Sequence, residues 1–62
     1  MIVEMIDKGG HKTVIEAEEY KWKDDFFFIY TITAMDFFDK NNIASIVVDG
    51  EDIPLPASTG SD

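Results

Sequence analysis

The sequence predicts an all-β or β-rich α+β fold: a single small curled antiparallel sheet or barrel of four to five strands, with a short helix near 34-41 as the open alternative. Three observations carry this reading. Short β-capable runs are separated by turn signals at Asp7-Lys8-Gly9-Gly10, Lys23-Asp24-Asp25 and Asp49-Gly50. The run from Phe26 to Thr33 is filled almost throughout by aromatic and β-branched residues, which suit a pleated surface. Finally, 62 residues without a Cys must fold as one domain around an apolar core. A chain of this size buries only roughly 60% of the surface it exposes when unfolded, so self-association is one way to complete the core. Residues 1-53 form the expected domain. The stretch 54-62, with Pro54, Pro56, Gly60 and small polar residues, is the expected flexible tail.

In chain order, Met1 to Ile6 is apolar and β-capable, and Gly9-Gly10 supplies the positive φ of a tight hairpin. With those two glycines as the loop, Ile6 faces Thr13, Glu4 faces Ile15 and Ile2 faces Ala17. One face of the hairpin then carries Ile2, Ile6, Ile15 and Ala17. The next run, Lys12 to Lys23, changes phase partway, because Tyr20 and Trp22 occupy the opposite parity to Thr13, Ile15 and Ala17. A bulge or bend near Glu18-Glu19, or a break into two strands, would reconcile both halves with one core. After the turn at Lys23-Asp24-Asp25 comes the aromatic strand. Residues 34-38 lean toward a further strand ending at Phe38, although Thr33 with Asp36 also resembles a capping box. Ile43 to Val48 is the last strand, closed by Asp49-Gly50, and Ile53 and Leu55 can tuck back against the body.

Side chains alternate across a strand, so Phe26, Phe28, Tyr30 and Ile32 share one face while Phe27, Ile29, Thr31 and Thr33 share the other. Only one face of so small a sheet can line the core. The expectation is that Phe26, Phe28 and Tyr30 are internal, and that Phe27 is covered by the 34-38 segment, by the tail or by another molecule.

Charge narrows the choice of partner. There are 13 acidic and 5 basic residues, a formal net charge of -8, and every basic residue is a Lys. Such a chain repels phosphates on average and has no guanidinium to grip them in two-point fashion, so direct nucleic-acid binding is disfavoured. A protein partner with a basic surface is favoured. Absence of Cys removes thiolate metal sites and thiol nucleophiles, and the lone His11 leaves no imidazole pair for zinc. No cofactor or metal is expected. The start of the chain lacks the pattern of a signal peptide, and the longest apolar stretch, residues 26-38, is too short to span a bilayer, which suggests a cytoplasmic protein without membrane contact.

Several local patterns have a plain reading beside a functional one. Asp49-Gly50-Glu51-Asp52 offers carboxylates to a hard cation but lacks the ligand spacing of a calcium loop. Leu55 to Gly60, LPASTG, is similar to the sortase recognition signal, with one residue too many before Thr59 and no apolar anchor after it. Gly9-Gly10 has no following GKS/T pattern, and His11 has no evident nucleophile beside it. Adjacent acids at Glu18-Glu19 and Asp24-Asp25 point to opposite faces of a strand, which leaves no acid/base pair. An enzyme is therefore not expected.

The order of hairpin, bent long strand, aromatic strand and polar turn leading into NNIASIVVDG resembles small barrels of the Src-homology-3-like or Sm-like kind over roughly residues 1-50. This resemblance implies a fold and transfers no binding residues. The chain also looks like the short acidic proteins encoded by bacteriophages and mobile elements. The function expected is that of a small acidic interaction protein that binds and inhibits or modulates a host protein, by occupying a basic surface that otherwise holds nucleic acid, as anti-restriction and anti-CRISPR proteins do. Glu16, Glu18, Glu19, Asp24, Asp25, Asp36 and Asp39 would supply the charge, and Trp22 and Phe27 the apolar anchors. The alternative is an assembly subunit that forms a homo-oligomer through an aromatic sheet face. A third reading places Tyr20, Lys21, Trp22 and Lys23 as a stacking platform for a single strand.

Overall fold

The computed structural model describes residues 1–56 and is all-β. The strands are β1 (Ile2–Asp7), β2 (Lys12–Glu16), β3 (Glu19–Lys23), β4 (Phe26–Tyr30), β5 (Met35–Asp39), β6 (Ile43–Val48) and β7 (Glu51–Ile53), with one 3-10 turn at Lys40–Asn42. They form two antiparallel sheets, of order β2-β1-β6-β7 and β3-β4-β5, and neither closes into a barrel. The strands are thus more numerous than expected and are shared between two sheets. Of the element order behind the small-barrel resemblance, the hairpin, the aromatic strand and the short turn before β6 are present, whereas the bent long strand is two strands in different sheets and the sheets remain open.

The first hairpin pairs in a register one residue away from the expected one. Met5 faces Thr13, Glu4 faces Val14 and Val3 faces Ile15. The reason lies in the loop. The Asp7 N–H donates to the His11 carbonyl at 3.0 Å, and the Asp7 carboxylate Oδ1 accepts from the Gly9 and His11 N–H groups at 2.8 and 2.9 Å. The loop is therefore Lys8-Gly9-Gly10, with Gly10 at φ +89° in the left-handed position that closes a three-residue hairpin. A shift of one residue exchanges the faces of a strand. Val3 and Met5 are buried, and Ile2 and Ile6, expected inside, are exposed.

The phase change in residues 12-23 is a break into two strands. β2 ends at Glu16, β3 begins at Glu19, and the chain passes between the sheets through Ala17 and Glu18. The crossing is held by Ala17 N–H donating to the Met1 carbonyl and Glu18 N–H donating to the Tyr30 carbonyl. Ile15 and Ala17 from one sheet and Tyr20 and Trp22 from the other all reach the same interior.

Residues 35-39 are a strand, as the flanking pattern suggested, and Asp39 ends it by accepting the Asn41 N–H at 2.8 Å to start the 3-10 turn. After β6 the two-residue loop Asp49-Gly50 has φ of 50° and 85°, the doubly positive pattern of a tight hairpin, and it returns the chain as β7. Asp49 Oδ1 also accepts the Ile2 N–H at 2.7 Å, which ties this turn to β1. The core gathers Val3, Met5, Ala17, Phe27, Ile29, Ile43, Ile46 and Val48, with Ile53 and Leu55 packed against it. Leu55 is thus docked although it lies in the expected tail; residues 57-62, which include most of the sortase-like stretch, fall outside the described residues.

Candidate interaction surfaces

The aromatic strand divides its rings oppositely to the expectation. Phe27 and Ile29 are 0% exposed, whereas Phe26 is 40% exposed and Phe28 and Tyr30 are half-buried. The cause is the break at Ala17-Glu18. It places Tyr20 and Trp22 on the core side of β3, and cross-strand pairing then puts them beside Ile29 and Phe27. The Phe27 ring centroid lies 5.0 Å from that of Trp22 and 5.5 Å from that of Tyr20, forming one aromatic cluster inside the molecule. Phe27 therefore cannot meet a partner, and half-buried Trp22 packs inward. The Trp22 indole N–H is buried and meets no acceptor among the described residues.

The opposite face of β3-β4-β5 carries the groups that sequence reasoning assigned to the interior. Its cross-strand rows are Glu19, Tyr30 and Met35; then Lys21, Phe28 and Phe37; then Lys23, Phe26 and Asp39. Met35 and Phe37 are more than half exposed, at 53% and 55%. Phe28 stands against Phe37 edge-on at 5.9 Å, Phe26 lies 6.0 Å from Phe37, and Lys21 Nζ sits 5.8 Å from the Tyr30 ring centre. Ile32, 85% exposed, projects from the β4–β5 loop. No described segment covers this face. The stacking platform foreseen for Tyr20, Lys21, Trp22 and Lys23 is divided, since its lysines point outward and its rings inward. Phe37 is an exposed ring that sequence reasoning did not include among the site residues, and its alternation with Phe38 in a strand at 35-38 was the signal that could have found it.

The expected acidic residues fall at two ends of the molecule. Glu16 pairs with Ile2 in the ladder, the Asp49 N–H donates to the Ile2 carbonyl, and Glu18 and Glu19 flank Tyr30. Glu16, Glu18, Glu19 and Asp49 thus surround one pole. All are exposed, and none takes part in an ion pair among the described residues. Asp24, Asp25 and Asp39 lie at the other end, where Lys40 Nζ is 3.4 Å from Asp25 Oδ1. Asp36 belongs to neither group; it stands on the edge strand β5, on the core-side parity but exposed, the kind of inward-leaning charge that discourages pairing by a foreign strand. Among the described residues no three His, Asp or Glu side chains converge on a metal position.

A cleft of about 390 Å³ opens between β5 and the first hairpin, lined by Met5, Thr13, Phe37, Phe38, Asp39 and Ile43 among others. His11 does not line it. No helix among the described residues is long and apolar enough to cross a membrane. Comparison with family models, with curated proteins and with solved structures finds no match.

Proposed function

We propose that the protein is a non-enzymatic acidic interaction protein, acting in the cytoplasm, that binds a partner protein by a basic surface and so inhibits or modulates it. The observation that carries the reading is the pole of Glu16, Glu18, Glu19 and Asp49, which holds four carboxylates beside the Met1 ammonium that donates to the Ala17 carbonyl at 2.8 Å. The chain that carries Glu16, Glu18 and Glu19 is held by backbone bonds at the crossing between the sheets, Asp49 Oδ1 accepts the Ile2 N–H, and none of the four carboxylates has a lysine partner among the described residues. A cluster of exposed negative charges presents to a basic groove what a phosphate backbone presents, and it raises association rates by steering. An inhibitor of the phage type, occupying a site that otherwise holds nucleic acid, is the specific form of this reading. The far end, where Lys23 and Lys40 stand among Asp24, Asp25 and Asp39, is closer to charge balance and serves as an internal control.

The test is capture of a host partner by the tagged protein across a range of salt. Capture that weakens with salt, competes with added DNA or RNA and falls at least about tenfold in the Glu16→Gln, Glu18→Gln, Glu19→Gln triple variant is the expected result. The Asp24→Asn, Asp25→Asn pair should change it much less. Capture indifferent to salt and to the triple variant would remove the charge-based reading.

A further inference from the structure

The exposed ring face of β3-β4-β5 is distinct from the acid pole, and its pattern identifies what fits it. Lys21 and Lys23 line one margin on β3, Phe37 and Asp39 line the other on β5, and Phe28 stands between. Neither lysine forms an ion pair among the described residues, nor does Lys8, whereas Lys12 and Lys40 are each paired with a carboxylate. A face with Glu19, Lys21 and Lys23 along one side and Met35, Phe37 and Asp39 along the other can pair its cations with its own ring and carboxylate in a second copy. Turning a second copy about a two-fold axis parallel to the strands sets β3 of each against β5 of its neighbour. Lys23 then meets the partner's Asp39 twice, and Lys21 meets the ring of the partner's Phe37. Phe28 closes on its own copy at the centre. A two-fold axis across the strands would also give Lys23 a carboxylate, that of the partner's Glu19, but it sets Lys21 against its own copy, and that like-charge contact favours the first arrangement.

We infer that this face is a homodimer interface, a symmetric sheet-on-sheet contact whose occupant is a second copy of the chain. Two sheets that stack face to face keep their strands within about 30° of alignment, which the axis along the strands satisfies. The apolar rings supply the contact and the paired Lys23–Asp39 margins fix its orientation. Asp39 remains free to do this because only Oδ1 is engaged, by the Asn41 N–H.

Sedimentation analysis of the full chain over rising concentration tests the inference. The expected result is a mass that climbs from 7.0 kDa toward twice that value. Phe37→Ser and Lys23→Glu should each weaken association by about tenfold or more, both substitutions lying on exposed positions whose circular dichroism should match the parent. Concentration-dependent amide shifts should concentrate in β3, β4 and β5. A chain that stays monomeric at the highest concentration reached, or a dimer that ignores both substitutions, overturns the inference. So does a monomer that binds an oligothymidine through Phe37, since that would give the face to a single strand instead.

Discussion

At the scale of single residues, Phe27 and Phe37 are the same side chain in opposite situations. Phe27 is fully enclosed between Tyr20 and Trp22, so Phe27→Ala removes a packed ring and should cost about 3–5 kcal/mol. Per-residue scaling gives a domain of this length roughly 3–9 kcal/mol in total, so that variant is expected to be largely unfolded by circular dichroism and in a urea titration. Phe37→Ser should shift the urea midpoint of the monomer by no more than about 0.5 kcal/mol equivalent. Equal losses from the two would contradict the assignment of faces. Backbone strain offers a second comparison, at Asp24 and Asp49, which have φ of 57° and 50°. The Asp24 carboxylate makes no hydrogen bond to the described residues' backbone, so Asp24→Gly should relieve about 1 kcal/mol of left-handed strain and raise the melting temperature by about 4–8 °C. Asp49→Gly gives up the bond from the Ile2 N–H as well and should gain nothing.

At the scale of elements, register decided which residues face inward. Alternation in Met1–Ile6 is equally compatible with Ile2 and Ile6 inside or with Val3 and Met5 inside, since both sets are apolar. What settles it is the Asp7 carboxylate, which organises a three-residue loop where the glycine pair alone suggested two. Asp7→Ala should therefore cost about 1–2 kcal/mol in thermal or chemical unfolding, with Asp7→Asn retaining part of that through its remaining oxygen. The broken strand was legible, because Tyr20 and Trp22 change parity relative to Ile15 and Ala17 and only a break or bend brings both pairs to one core. Ile43 to Val48 is not the last strand as expected, because the doubly positive φ at Asp49-Gly50 forms a two-residue hairpin that returns the chain as β7 against β6. The prolines that follow drew attention to the tail instead.

At the scale of the whole molecule, the two proposed surfaces should carry opposite salt dependences. A dimer joined through the ring face brings together two chains of net charge -8, with their acid poles at the same end, so added salt should screen repulsion and raise the dimer fraction. Binding of a basic partner at Glu16, Glu18 and Glu19 should weaken under the same change. Sedimentation and partner capture measured over one salt series distinguish them, and parallel trends would show that the two surfaces are not independent.

The amino-acid sequence by itself determined the β class, most of the turns and the excess of negative charge, because these follow from local backbone preference and from counting. The turn at Thr31–Ala34, which ends β4 at Tyr30, lay inside the run to Thr33 expected as strand, and its Thr31–Ala34 hydrogen bonds are what break that run. The sequence also showed that the Phe26 to Tyr30 run must present two apolar faces. Which face became the core was settled only in three dimensions. The crossing at Ala17-Glu18 sent Tyr20 and Trp22 inward, and cross-strand pairing then drew Phe27 and Ile29 after them. Strand periodicity assigns residues to a face, but only the pairing of distant segments decides which face water reaches.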